Sequence, residues 1–169
     1  MSGKGIWQGI GGVLVSAWVG GVSAGSLNEV LPMPESPLYV QECGSCHTAY
    51  APTYLPAKSW RKLMQELDRH FGEDVSLAPA SRELLQGQLE ALAGDGPRGV
   101  PGIAERNARV PAAQVPQRVT EMPFFGFMHD EVPRSVWGRK LIGSKANCVA
   151  CHGRADEGRY FEREIRIPK

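Results

Sequence analysis

No charge of one sign predominates in this sequence. Its 19 basic and 18 acidic side chains give a formal charge of +1. The first 24 residues contribute Lys4 and no acid, so without them the tally is 18 against 18 and the balance is zero. That removes the basic footprint expected of a nucleic-acid binder. Long apolar runs are also missing. The stretch from Ile10 to Val19 is loosened by Gly11 and Gly12 and falls well short of the about 20 residues that span a bilayer. Hydrophobic residues are 42% of the chain, a thin supply for a core, while 13 prolines and 20 glycines imply extensive loops. Cysteine and histidine are scarce at four each, so their placement carries the chemistry.

All four cysteines fall in two short motifs, Cys43-Gly44-Ser45-Cys46-His47 and Cys148-Val149-Ala150-Cys151-His152. Each is C-x-x-C-H, the attachment pattern of c-type haem. Two thiols at that spacing add across the two vinyl groups of one porphyrin, and the adjacent histidine supplies an axial nitrogen to the iron. A zinc site, a pair of disulfides or a redox dithiol would use the same thiols. Disulfides, however, would not call for a histidine after each pair. Nothing around Cys43 reads as the strand that precedes a redox dithiol in a βαβ unit. Two haem c groups are therefore expected, held by Cys43, Cys46, Cys148 and Cys151, with His47 and His152 as iron ligands. The porphyrins would supply apolar mass that the composition lacks.

Residues 1–24 read as a secretory signal peptide. Lys4 forms the basic start, Ile10 to Val19 the apolar centre and Val22-Ser23-Ala24 the small-residue cleavage site. Export to the periplasm is expected, with an uncleaved membrane anchor as the alternative. Gly25 to Pro37 is expected as an extended arm. Residues 25–93 form an N-terminal haem lobe, 94–117 a Gly/Pro-rich linker with a helical turn near Ala104 to Ala108, and 118–169 a C-terminal haem lobe. The fold class is mainly α, and both motifs are placed on helices.

In the first lobe, Trp60, Leu63, Met64, Leu67 and Phe71 recur at one helical face, with Gly72 as the stop and His70 at the edge of that face. Leu84, Leu85, Leu89 and Leu92 predict a second apolar face within a helix from Pro79 to Ala93. In the second lobe, Phe124, Phe125 and Phe127 follow an extended Val119 to Pro123 and precede His129. At least two of these rings are expected in core packing. Val136 and Trp137 lie in a short helix, and Phe161 to Pro168 forms an extended tail against the second haem.

Two histidines remain outside the motifs. His70 is the candidate sixth ligand of one iron, with Met64 as competitor; His129 is that of the other, with Met122 or Met128 as competitors. Proximity in the chain pairs His47 with His70 and His152 with His129, crossed pairing staying open. Two bis-histidine irons of low potential have no free position for a substrate, which is the design of an electron carrier. The alternative is a dihaem enzyme of peroxidase or nitrite reductase type, with one exchangeable ligand and Asp130 or Glu131 as its acid–base group.

The landmarks Glu42 through His47, Ala49-Tyr50, Leu55 through Trp60, Leu63-Met64 and His70-Phe71-Gly72 resemble the bacterial dihaem cytochrome c family, DHC. So do His129-Asp130-Glu131-Val132-Pro133, Asn147 through His152, Ala155-Asp156, Gly158 and Ile165 through Pro168. The likeness omits residues 94–117. It implies a mainly helical, two-lobed periplasmic carrier whose N-terminal lobe resembles a class I cytochrome c in outline. It also implies bis-histidine ligation through His70 and His129, and partners that include a small oxygen-binding monohaem cytochrome c and a membrane cytochrome b. A monomer or weak oligomer is expected.

Overall fold

The computed structural model describes residues 30–169. The signal peptide expected over 1–24 lies outside the described residues. Six α-helices are found among the described residues: α1 (Leu38–Cys43), α2 (Ala57–Gln65), α3 (Pro79–Leu92), α4 (Pro101–Asn107), α5 (Pro123–Met128) and α6 (Arg134–Trp137), with one 3-10 turn after each of α1, α2 and α4 and three after α6. Among the described residues the only β pairings are two isolated bridges, Val30 with Arg159 and His70 with Glu73. The mainly α class expected from the sequence is what is found. None of the described helices is long and apolar enough to cross a membrane.

α2 and α3 pack face to face and make the main core. Trp60, Leu63 and Met64 stand one turn apart on α2, and Leu85, Leu89 and Leu92 on α3; all six are buried. Burying each such side chain contributes on the order of 1.5–3 kcal/mol. Tyr39 from α1 and Val119 and Met122 from beyond α4 complete that core. Pro79 opens α3 at its first turn, where a missing N–H costs nothing. Leu84, expected on the same apolar face, is instead exposed. α2 has no local capping side chain; its first N–H, that of Ala57, donates to Asp95 Oδ1 at 2.6 Å from 38 positions away. The indole N–H of Trp60 donates to the Pro52 carbonyl at 2.7 Å inside the core.

Several local expectations change. The helix read from Trp60 to Phe71 stops at Gln65, because Glu66 leaves helical geometry (φ −119°, ψ 31°). Its carboxylate accepts two bonds from Lys62 one turn back and one from Arg69. A 3-10 turn over Leu67–Arg69 follows, and His70 itself is extended. Neither motif lies wholly on a helix. The first begins at the last residue of α1; the second has only a 3-10 turn over Cys148–Ala150. The apolar lead-in present at Leu38 and Tyr39 has no counterpart in Ser144 to Asn147, and Asn147 Nδ2 instead donates back to the Ile142 carbonyl at 3.0 Å. The segment Val119 to Pro123, expected as extended, contains a 3-10 turn over Val119–Glu121; only Met122, which leads into α5, is extended. Of the three phenylalanines only Phe124 is core; Phe127 is exposed with the Arg106 guanidinium 3.4 Å above its ring.

The segment expected as a linker is packed. Ile103 of α4 is fully buried in a second core with Leu31, Ala51 and Phe124. Asn107 at the end of α4 donates to the Tyr54 carbonyl at 3.1 Å and accepts from the Phe124 N–H at 3.0 Å. One residue thereby ties the first-motif region to α5. The arm before α1 is pinned as well: Leu31 is buried and donates to the Gly158 carbonyl at 2.8 Å. Gly158 has φ 72°, and a Cβ there would overlap the Leu31 carbonyl, so both the backbone conformation and the close approach require glycine.

Candidate functional site

Each motif is brought against one distant histidine. The rings of His47 and His70 face each other with centroids 6.1 Å apart and planes 25° apart. His129 and His152 stand 6.2 Å apart with planes at 85°. The two pairs are those expected from proximity in the chain. Of the competing methionines, Met64 is packed in the main core, while Met122 and Met128 lie on the wall of the second site. In neither pair does a methionine take the place of the facing imidazole.

The first site grows from the C-terminal end of α1. Cys43 is half-buried and Cys46 exposed. His47 Nδ1–H donates to the Thr48 carbonyl at 2.8 Å, which leaves the lone pair on Nε2. The Tyr50 ring stacks on His47 at 5.0 Å. Across the gap, His70 carries the Phe71 ring edge-on at 4.8 Å. Burial first, then His47 and the Arg118 guanidinium, hold the His70 imidazole below its ordinary pKa.

The second site is a cavity of about 350 Å³. Both thiols and both histidines line it, and its walls are largely apolar: Phe125, Val136, Trp137, Ile165 and Ile167. Phe125 stacks on His129 at 4.2 Å, and its carbonyl accepts the His129 Nδ1–H at 2.9 Å. Both contacts follow from their spacing, four positions at the end of α5. The C-terminal tail closes the far wall: Arg166 N–H donates to the Cys151 carbonyl at 2.9 Å, and Arg139 Nη1 to the Pro168 carbonyl at 2.5 Å. The tail was expected here, although its middle is a 3-10 turn. Burial, reinforced by His129, pulls His152 down to about 4, and burial lowers His129 as well. Burial pushes the Cys43 thiol up to about 11 and Cys148 to about 12. Burial thus favours the neutral form of the His70, His129 and His152 imidazoles, able to donate to a metal, and the protonated form of the Cys43 and Cys148 thiols.

The donor set is specific about what fits. Among the described residues no three His, Cys, Asp or Glu side chains converge on one point, as the four ligands of a tetrahedral zinc would. Two imidazoles facing one another suit an ion that already has its equatorial ligands, as in a porphyrin. A metal–imidazole bond is about 2 Å and the ring centroid lies roughly 1 Å beyond the nitrogen, so two trans imidazoles have centroids about 6 Å apart. Both observed separations match. The cavity walls supply the apolar faces a porphyrin needs.

The two sites are joined by contacts that no local pattern announced, although Ala49-Tyr50 and Ala155-Asp156 stand among the landmarks of the family likeness. Tyr50 Oη donates to the Ala146 carbonyl at 2.8 Å, two residues before Cys148. Tyr39 Oη donates to the Tyr50 carbonyl at 2.6 Å. The Ala49 N–H donates to Asp156 Oδ1 at 2.7 Å across 107 positions. Tyr54 meets Tyr160 at 5.6 Å, and Tyr160 meets His152 at 5.1 Å. All four tyrosines of the chain therefore stand between or beside the motifs. Burial holds the hydroxyls of Tyr39, Tyr54 and Tyr160 well above their ordinary pKa and that of Tyr50 at about 12, so they remain donors. Only the phenylalanine four positions before His129 carried a readable signal. Asp156→Ala leaves the buried Ala49 N–H unpaired and should cost about 1–3 kcal/mol, read as a lowered denaturant midpoint at unchanged slope. An unchanged midpoint would remove Asp156 from the connection between the sites.

The family model described as dihaem cytochrome c matches residues 39–160. Among solved structures, the diheme cytochrome c from Rhodobacter sphaeroides is 38% identical. The match covers 75% of this chain and 97% of that one with a TM-score of 0.64. The diheme cytochrome type c from Shewanella baltica OS155 is 33% identical, with 80% and 95% covered and a TM-score of 0.64. No curated protein matches the chain.

Proposed function

The chain belongs to the dihaem cytochrome c family, and from that premise we propose that it is a periplasmic electron carrier with bis-histidine ligation at both irons. Two covalently bound haem c groups come with the family; when bound, they supply reversible one-electron chemistry. In this reading Cys43 and Cys46 hold one haem, with His47 and His70 on its iron. Cys148 and Cys151 hold the other, with His152 and His129. The observation that carries the proposal is the facing of one motif imidazole by one distant imidazole at each site, at 6.1 and 6.2 Å.

The residues orient the rings and exclude water. The carbonyls of Thr48 and Phe125 fix the tautomers of His47 and His129, as partners of metal-bound imidazoles do. Phe125, Trp137 and Ile165 keep the second site apolar, which tunes potential through local polarity. Of the acid–base pair of the enzyme alternative, Asp130 is an exposed turn residue, while Glu131, also exposed, stands on the rim of the second cavity. Ile167 lines the second site and is also half-exposed at the surface. A rim of that kind suits the small, transient contact of redox partners. A small oxygen-binding monohaem cytochrome c and a membrane cytochrome b are the partners proposed.

The test is made on the exported, oxidised protein. A pyridine haemochrome assay should give two haems per chain, and absorption and low-temperature EPR should show only low-spin iron without a methionine-type band. A high-spin component or a methionine band in the unmodified protein would refute bis-histidine ligation.

A further inference from the structure

The two histidines that approach from outside the motifs are held very differently. His129 follows α5, donates its Nδ1–H to the Phe125 carbonyl at 2.9 Å, and is backed by the Phe125 ring at 4.2 Å and Trp137 at 5.7 Å. His70 has no such hydrogen bond, and the ring beside it, Phe71 edge-on at 4.8 Å, is itself exposed. The His70 Nδ1 is buried without a hydrogen-bond partner. It follows a single 3-10 turn instead of a helix. The next residue, Phe71, has φ 50°, a left-handed conformation that a bulky side chain adopts only under strain. Residues 71–76 are exposed, and the Phe71 ring is held from outside by the Arg118 guanidinium at 4.1 Å. On the opposite side His47 is secured by the Thr48 carbonyl and the Tyr50 ring.

We infer that the N-terminal site is a binding site for a small diatomic π-acceptor ligand, entered by release of His70, while the C-terminal site stays closed. This rests on the bis-histidine reading above. Two effects act in the same direction. An imidazole whose second nitrogen lacks an acceptor is a weaker donor, and loss of such a partner weakens metal binding by about 10–100-fold. Outward movement of the 70–76 segment also relaxes the strained Phe71 backbone. The exchange is balanced: the bond from the His70 nitrogen to iron breaks, the bond from the ligand forms, and no electron is transferred. His47 and both thioether bonds remain in place.

The probe is cyanide, titrated into the ferric dihaem protein and followed by EPR. The ring planes differ by 25° at the first site and 85° at the second. Near-parallel imidazoles split the iron dπ orbitals and give a rhombic low-spin signal; near-perpendicular ones leave those orbitals almost degenerate and give a highly anisotropic signal. His70→Gly, which removes the rhombic signal alone, assigns it to the first site. High-spin iron before cyanide is added would sink the bis-histidine reading and this inference with it. With both low-spin signals present at the start, the rhombic one should be lost at cyanide concentrations about 10–100-fold below those that affect the other. Loss of the anisotropic signal first, loss of both together, or resistance of both would overturn the inference alone. Phe125→Ala, which strips the ring from behind His129, should narrow the gap between the two midpoints about tenfold or more. An unchanged gap would show that the packing behind His129 is not what closes its site.

Discussion

Replacing His129 by Met should raise one haem potential on the order of 100 mV, a fraction of the roughly 0.8 V over which axial ligands tune haem, and leave the other nearly fixed. A thioether in place of one imidazole raises the potential of a c-type haem. The geometry makes the effect local. His129 faces His152 at 6.2 Å, inside a cavity whose walls come mostly from α5, α6, the second motif and the tail, with Tyr54, Val119 and Met122 on one side. His70→Met should do the same for the other potential. Redox titration of both variants, with two midpoints resolved in each, reads the outcome. If one substitution moved both midpoints, or neither, the pairing of histidines within sites would be wrong. Crossed ligation would show as the His70 variant perturbing the haem held by Cys148 and Cys151.

Converting both Cys148→Ser and Cys151→Ser should take covalent haem from two per chain to one and unfold the C-terminal half selectively. Phe125, Val136, Ile165 and Ile167 face a cavity of about 350 Å³, and a cavity of that size left without its occupant deprives its walls of packing partners. The first half draws mainly on its own core, with Val119 and Met122 common to that core and the cavity wall. Tyr39, Trp60, Leu63, Met64, Leu85 and Leu89 are closed over by Val119 and Met122, and no residue beyond Met122 belongs to that cluster. The first haem should therefore remain, with the cooperative unfolding of α2 and α3 intact. Mass spectrometry and haem absorbance count the attachment, and amide hydrogen exchange locates the unfolding. Retention of two covalent haems, or loss of both, would contradict the assignment of one motif to one haem.

The two sites were legible in the sequence to different depths. Cys43, Cys46, Cys148 and Cys151 with their following histidines were visible because attachment chemistry dictates a fixed local spacing. His70 and His129 were visible by elimination, since the chain has four histidines and two motifs. The helix carrying His70 was overextended. The apolar period of Trp60, Leu63, Met64 and Leu67 continues numerically to Phe71, but Glu66 breaks the helix and Phe71 ends half-exposed against Arg118. Periodicity reports which residues could share a face; it cannot report where the backbone turns to aim a ring. A helix was expected at both motifs because two thiols must face one ring edge, but the sequence upstream of the second lacks the apolar lead-in to support one, and a 3-10 turn stands there instead.

What the sequence by itself determined was what depends on neighbours in the chain: two C-x-x-C-H motifs, each ending in a histidine, a mainly helical class and the α2 and α3 faces. These follow from covalent spacing and helical period, both properties of short segments. The tertiary structure alone decided how the two sites are related and how firmly each histidine is held. Asp95 caps α2 from 38 positions away, Asn107 joins Tyr54 to Phe124, Asp156 reaches Ala49 across 107 positions, and Tyr50 bonds the Ala146 carbonyl. Each satisfies a backbone group whose partner is far along the chain. The unsupported His70 and the firmly backed His129 differ for the same reason: a ring's partners are set by what folds against it, and no local pattern encodes them.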